Sequence, residues 1–155
     1  MTQSKTDEVR VQVRIAARPE TVFSFFTDPA KMVRWKGRSA QLDPRPGGDY
    51  RIDVNGRDIM AGKYVEITPY SRIVYTFGWD TPGNPITPGS TTVEVTLARD
   101  GDGTVVTLTH RGLPAAAREQ HAMGWQHYLG RLVKAGAGID PGPDPFADPK
   151  ATMGH

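Results

Sequence analysis

Six stretches of this chain read as β-strands joined in series, and a single long stretch near its end reads as an amphipathic helix. That order decides most of what the chain can become. A sheet with one apolar face must be covered, and one long helix is on hand to cover it. Val9, Val11, Val13 and Ile15 alternate with Arg10, Gln12 and Arg14, the period of a half-buried strand. Tyr50, Ile52 and Val54 alternate with Asp49, Arg51 and Asp53 up to the hairpin signal Asn55-Gly56. The stretch Ile59 to Ile67, stopped by Thr68-Pro69, is apolar on both parities, so its inward face stays open. Ile73, Tyr75, Phe77 and Trp79 line one face of the next strand. After a loop over 82–89 with three prolines and two glycines, Thr91, Val93, Val95 and Leu97 pair with Val106, Leu108 and His110 across Asp100-Gly101-Asp102-Gly103.

Helical signals occur in two places. Pro19 stands at a first helical position with Glu20 behind it, and Val22, Phe23 and Phe26 share a face until Asp28-Pro29 stops the run. A second short turn is expected through Met32 to Trp35. Near the end, His121, Gly124, Trp125, Tyr128, Leu129 and Leu132 recur at three- and four-residue spacing, with Arg131 and Lys134 near the helix C-terminus. The expected architecture is α+β: a curved antiparallel sheet of about six or seven strands wrapped on the long C-terminal helix, with two short helices after the first strand. One domain over residues 8–138 is expected, followed by a Pro/Gly-rich tail over 139–155 that forms no regular element and lies loose or as a strap.

Composition narrows the function classes. In 155 residues, 37% hydrophobic and 23% charged, a globular core is affordable and wholesale disorder is not expected. Net charge is only +2, and the basic cluster Lys31, Arg34, Lys36 and Arg38 around Trp35 reads as a solvated loop, so no nucleic-acid partner is expected. There is no cysteine, hence no disulfide framework and no thiolate chemistry. The polar stretch Met1 to Arg10 lacks the apolar run of a signal peptide, and no segment is apolar over the ~20 residues a membrane span needs. A cytoplasmic protein without a membrane partner is the expectation.

Motifs for known chemistries are discarded one by one. Gly62-Lys63 is followed by Tyr64 rather than Ser or Thr, so 56–63 is no phosphate loop. Asp100 to Gly103 lacks the closing glutamate of a calcium loop, and His110, His121, His127 and His155 show no ligand spacing, so neither metal nor cofactor is expected.

What remains is a constellation. His110 lies on the inward parity of the last strand and His121 one turn before Trp125 on the covering helix face, with Tyr64, Tyr75 and Tyr128 as hydroxyl donors. Two readings stand side by side: a general acid or base on an apolar substrate, and hydrogen-bonded structural histidines without an orienting carboxylate. Glu94 has outward parity, and Glu66 reads as an exposed or satisfied strand residue. The aromatic set Trp35, Tyr50, Tyr64, Tyr75, Phe77, Trp79, Trp125 and Tyr128, with Ile52, Val95, Leu97, Leu108 and Leu129, is the candidate wall of a ligand pocket; a solid core is the competing reading.

The ordered residues also carry a family likeness. Ala17-Arg18-Pro19-Glu20-Thr21-Val22-Phe23, Thr27-Asp28-Pro29 and Trp35 come first, then Pro46-Gly47-Gly48 before Tyr50-Arg51-Ile52, and Gly62, Glu66-Ile67 and Pro69. Thr107 to Pro114, His121, Gly124-Trp125 and Leu129 complete the set. Over about residues 8–135 the chain resembles the START-like, Bet v 1-like superfamily, and more narrowly the homologues of the activator of heat-shock-protein-90 ATPase. The resemblance implies a helix-grip fold with a cavity between sheet and C-terminal helix. It leaves three functions to weigh: binding of a small apolar or aromatic ligand; a cyclase-, dehydratase- or hydrolase-like enzyme using His110 or His121; and a co-chaperone-like interaction module. Full co-chaperones of this kind carry a further N-terminal domain for which this length leaves no room, so a chaperone partner ranks last. A homodimer through the tail from Ile139 stays open.

Overall fold

The computed structural model describes residues 8–147. Strand β1 (Glu8–Ile15) is followed by helices α1 (Pro19–Thr27) and α2 (Pro29–Met32). Six strands come next: β2 (Ser39–Leu42), β3 (Asp49–Asp53), β4 (Ile59–Thr68), β5 (Arg72–Trp79), β6 (Thr91–Asp100) and β7 (Gly103–Arg111). Helix α3 (Ala115–Gly136) closes the fold, and a single 3-10 turn, Pro145–Ala147, follows it. The seven strands form one antiparallel sheet in the order β1-β7-β6-β5-β4-β3-β2. Its apolar face wraps on α3, whose His121, Trp125, Tyr128, Leu129 and Leu132 are buried against it. This is the expected helix-grip architecture.

Four local differences have physical causes. Strand β2 was not expected, because Ser39–Leu42 is a four-residue edge strand, half exposed, and too short to show a period. The second helical turn starts at Pro29, not Met32. Asp28 ends α1 and caps α2 at once, its side chain accepting from the Ala30 amide at 2.9 Å. The hairpin at Asn55-Gly56 is a longer loop: the buried Asn55 side chain accepts from the amides of Arg57 (3.0 Å) and Asp58 (2.8 Å) and fixes the turn itself. The tail holds a 3-10 turn where no regular element was expected; residues 148–155 of that expectation lie outside the described residues.

The parity of β4, open from sequence, is explained by an irregularity. Met60 and Tyr64 face the core at 2% and 3% exposure, but the pairing with β5 shifts register between Tyr64 and Glu66. Val65 is the extra, exposed residue of a bulge, and beyond it the parity switches, so Glu66 pairs with Arg72 on the surface and Ile67 packs against the core. Glu94 likewise points outward, to Arg72 and Arg111. Among the described residues no helix is long and apolar enough to cross a membrane.

Candidate functional site

The space between the sheet and α3 is closely filled. Among the described residues two voids border this space, each about 10 Å³, room for roughly one water molecule. The first is bordered by Trp35, Tyr50, Ile52, Tyr64, Tyr75 and Trp125 from the expected wall, together with Phe26, Met32, Lys36, Leu42 and Met60. The second is bordered by Phe77, Trp79, His121, Trp125 and Tyr128, with Gly124 and again Lys36. Val95, Leu97, Leu108, His110 and Leu129 are buried in the core and border neither. An enclosed cavity of ligand size is therefore not open in this conformation.

The two histidines meet deep in the interior, with ring centroids 5.7 Å apart. Each is locked by a tryptophan. The Trp125 indole N–H donates to His110 Nδ1 (3.0 Å), so His110 Nε2 carries the hydrogen and donates to Thr91 Oγ1 (2.8 Å), which in turn donates to the Phe77 carbonyl (2.9 Å). The Trp79 indole N–H donates to His121 Nε2 (3.1 Å), and His121 Nδ1 donates to the Ala117 carbonyl (2.8 Å). Burial, reinforced by the neighbouring His121, pushes His110 down to about 3. Burial also lowers His121, with Lys36 adding to the shift and the Ala117 hydrogen bond opposing it. Both imidazoles are held neutral with both nitrogens occupied, so acid–base use of either would first break a Trp–His bond.

The tyrosines divide. Tyr50 donates to the Thr76 carbonyl (2.8 Å) and Tyr64 to the Phe26 carbonyl (3.3 Å). Among the described residues the Tyr75 hydroxyl makes no hydrogen bond, and the Tyr128 hydroxyl is buried without one. Burial raises all four phenols above their ordinary value.

Lys36 is the residue that sequence reasoning missed. It was grouped with a solvated basic loop, yet it is only 5% exposed, whereas Arg34 and Arg38 do face solvent. The chain folds it inward between two anchors. Trp35 is buried, donating its indole N–H to the Phe25 carbonyl at 3.1 Å, while its own carbonyl accepts from Arg131 Nε (3.1 Å). Gly37 then turns the chain at φ +90°, where a Cβ would lie 2.5 Å from Ile52 Cγ2, so only glycine fits. Lys36 Nζ lies 3.7 Å from the Tyr128 ring centroid and 5.3 Å from that of Trp125, a desolvated cation–π geometry. Among the described residues this amine has no hydrogen bond and no ion pair. Burial lowers it from 10.5 to about 7, with Asp144 pulling in the opposite direction.

The segment after α3 closes over the outer side of this site. Phe146 packs on His127 and Tyr128, with ring centroids 4.3 and 6.3 Å away, and His127 Nε2 lies 2.8 Å from Asp144 Oδ1. His127, which carries no ligand spacing in the sequence, is the latch for this segment. Burial alone would raise Asp144; the hydrogen bonds from His127 and the Phe146 amide hold it below its ordinary value. Asp144 Oδ2 and the Tyr128 hydroxyl are both buried, with no other partner among the described residues, and each acts on the other: the carboxylate raises the phenol and the phenol lowers the carboxyl. Among the described residues no cluster of metal-ligating side chains forms.

A seven-stranded sheet gripping a C-terminal helix, with an aromatic interior between them, defines a helix-grip protein of the START-like class. The family model described as Activator of Hsp90 ATPase homolog 1-like protein matches residues 16–137, most of the chain, and the chain belongs to that family. It is similar to the solution structure of an AHSA1-like protein from Rhizobium etli: 45% identity, 96% of this chain and 92% of that one covered, TM-score 0.72. A crystal structure of a protein from Chromobacterium violaceum is 29% identical over 89% of this chain and 99% of that one, with TM-score 0.73. DynU16, from the dynemicin biosynthetic locus, shares the fold at TM-score 0.76 and 24% identity over 89% of this chain, which spans only 50% of DynU16's length. No curated protein matches the chain.

Proposed function

We propose that the chain binds a small, largely apolar or aromatic molecule between the sheet and α3, with one polar group of that molecule meeting the Lys36 amine. The observation that carries this reading is Lys36 itself: a buried residue that borders both voids, its amine faced by aromatic rings and without a hydrogen bond or ion pair among the described residues. Leaving an amine unpaired in a core is expensive, and apolar interiors with one or two convergent polar groups are the usual build of ligand sites. Binding requires the interior to open. Of the residues bordering the first void only Leu42, on the short edge strand β2, is half-buried instead of buried, and it marks the mouth. Met32 and Met60 are unbranched and can move aside behind it. The histidine-based enzyme reading ranks second, because both imidazoles already hold tryptophan N–H groups.

Titration with trans-cinnamate, an aromatic carboxylate, followed by amide and indole NMR resonances, tests the proposal. The indole N–H signals of Trp35 and Trp125 are expected to shift. Lys36→Met is expected to weaken binding roughly tenfold, the worth of one charge-assisted contact. Shifts confined to surface residues such as Arg51 and Lys63, or no shift at all, would count against it.

A further inference from the structure

Lys36 gives the proposed site a nucleophile as well as a polar anchor. The Lys36 side chain borders both voids, and its nitrogen sits 3.7 Å from the Tyr128 ring centroid, with no acceptor among the described residues to occupy it. The other described lysines differ: Lys31 donates to Ser24 Oγ (2.8 Å), Lys63 pairs with Asp49 (2.7 Å), and Lys134 is exposed at the end of α3. We propose that Lys36 captures a small aromatic or unsaturated aldehyde as a Schiff base inside the grip. This inference rests on the binding reading above and names the substrate class that site would take.

The chemistry needs no added reagent. The amine lone pair attacks the carbonyl carbon, the C=O π pair moves to oxygen, and one nitrogen proton transfers to that oxygen to give a carbinolamine. The carbon–oxygen bond then breaks, the hydroxyl leaves as water with the remaining nitrogen proton, and the C=N bond forms. One aldehyde and one amine give one imine and one water, with no change in oxidation state. A lysine in an apolar pocket is suited to this because a useful fraction of it is neutral at pH 7, whereas an exposed lysine is almost wholly protonated. The groups facing it are His121 and Tyr128 on α3, Asp144 on the closing segment, and the phenols Tyr50, Tyr64 and Tyr75 on the sheet side. Asp144 is the only one of them that carries negative charge near neutral pH, and it is the counter-charge for a protonated Schiff base.

The test is incubation of the full chain with trans-cinnamaldehyde at pH 7, trapping of the imine by sodium cyanoborohydride, and peptide mapping over time. Lys36 is expected to be labelled roughly tenfold or more faster than Lys31, Lys63 or Lys134, since its larger neutral fraction outweighs its lower basicity. Lys36→Arg and Lys36→Met are each expected to abolish that fast adduct while the Trp indole resonances remain those of a folded protein. Equal labelling of all lysines, or none at Lys36, overturns the inference. The cinnamate titration separates the two readings: indole shifts with cinnamate but no aldehyde adduct leave the binding reading standing and remove the covalent one, and absence of both removes both.

Discussion

Replacing Lys36 with methionine should raise the stability of the fold at pH 7 by about 2–4 kcal/mol, an unusual direction for a change at a buried position. The sign follows from linkage. Burial holds the amine at about 7 in the folded chain, while it titrates near 10.5 when unfolded. Above 10.5 both states are neutral and burial carries no protonation penalty. As pH falls from 10.5 towards 7 the unfolded chain takes up the proton first, and the folded state loses roughly 4–5 kcal/mol relative to it. Below 7 both states are protonated and the penalty is constant. Methionine has similar length, fills the same slot and does not titrate; the lost cation–π contact with Tyr128, worth up to about 2 kcal/mol, offsets part of the gain. Urea denaturation of both proteins between pH 7 and 10.5 checks this. The curves should be furthest apart at pH 7 and converge as pH rises, and parallel curves would show that Lys36 is not held near neutrality.

On the acid side, the Trp125–His110–Thr91 chain should make the fold lose stability from about pH 6.5 downward, starting above the range where carboxylates titrate. His110 is held at about 3 by burial and by its neighbour His121, against 6.5 in the unfolded chain. Its contribution is fully present above 6.5 and is lost as pH falls towards 3, by roughly 4–5 kcal/mol at the limit. Protonation would put a hydrogen on Nδ1, where the Trp125 indole N–H already donates. Glutamine at 110 can accept from that indole and donate to Thr91 without titrating. His110→Gln should therefore cost only about 1–2 kcal/mol at pH 7.5 and flatten the stability profile between pH 6.5 and 4. A variant that follows the wild-type acid limb would assign that limb to other groups, His121 first among them, since it too is lowered by burial.

The fold was legible because strands buried on one face keep a strict period. Val93, Val95 and Leu97 on β6 and Val106 and Leu108 on β7 are all buried, and one helical stripe, His121 to Leu132, had only one sheet to cover. Where the period breaks, sequence reasoning fell short. The bulge after Tyr64 switches the parity of β4, and the edge strand Ser39–Leu42 is too short to carry a pattern. The site was half legible. Strand and helix parity brought His110, His121, Trp125 and Tyr128 together, but parity is silent about residues on turns. Lys36 sits between a helix and an edge strand, and its inward course is set by the buried Trp35 before it and the positive-φ Gly37 after it. Asp144 is more remote still: it reaches the site through a proline-rich segment whose path is fixed by His127 and Phe146, contacts that no periodicity encodes. Nor does parity measure space. The same aromatic residues line a pocket or fill a core depending on a few ångströms of approach, and here the approach leaves two water-sized voids.

The central claim is that the grip interior around Lys36 holds a small molecule in the cell. Native mass spectrometry of the protein and of its Lys36→Met variant, each purified gently from the protein's own host, tests it most directly. The account predicts a wild-type species heavier than the bare chain by one small apolar or aromatic molecule, released on mild denaturation and depleted in the variant. Bare chain in both preparations, or the same added mass retained equally by the variant, would contradict it.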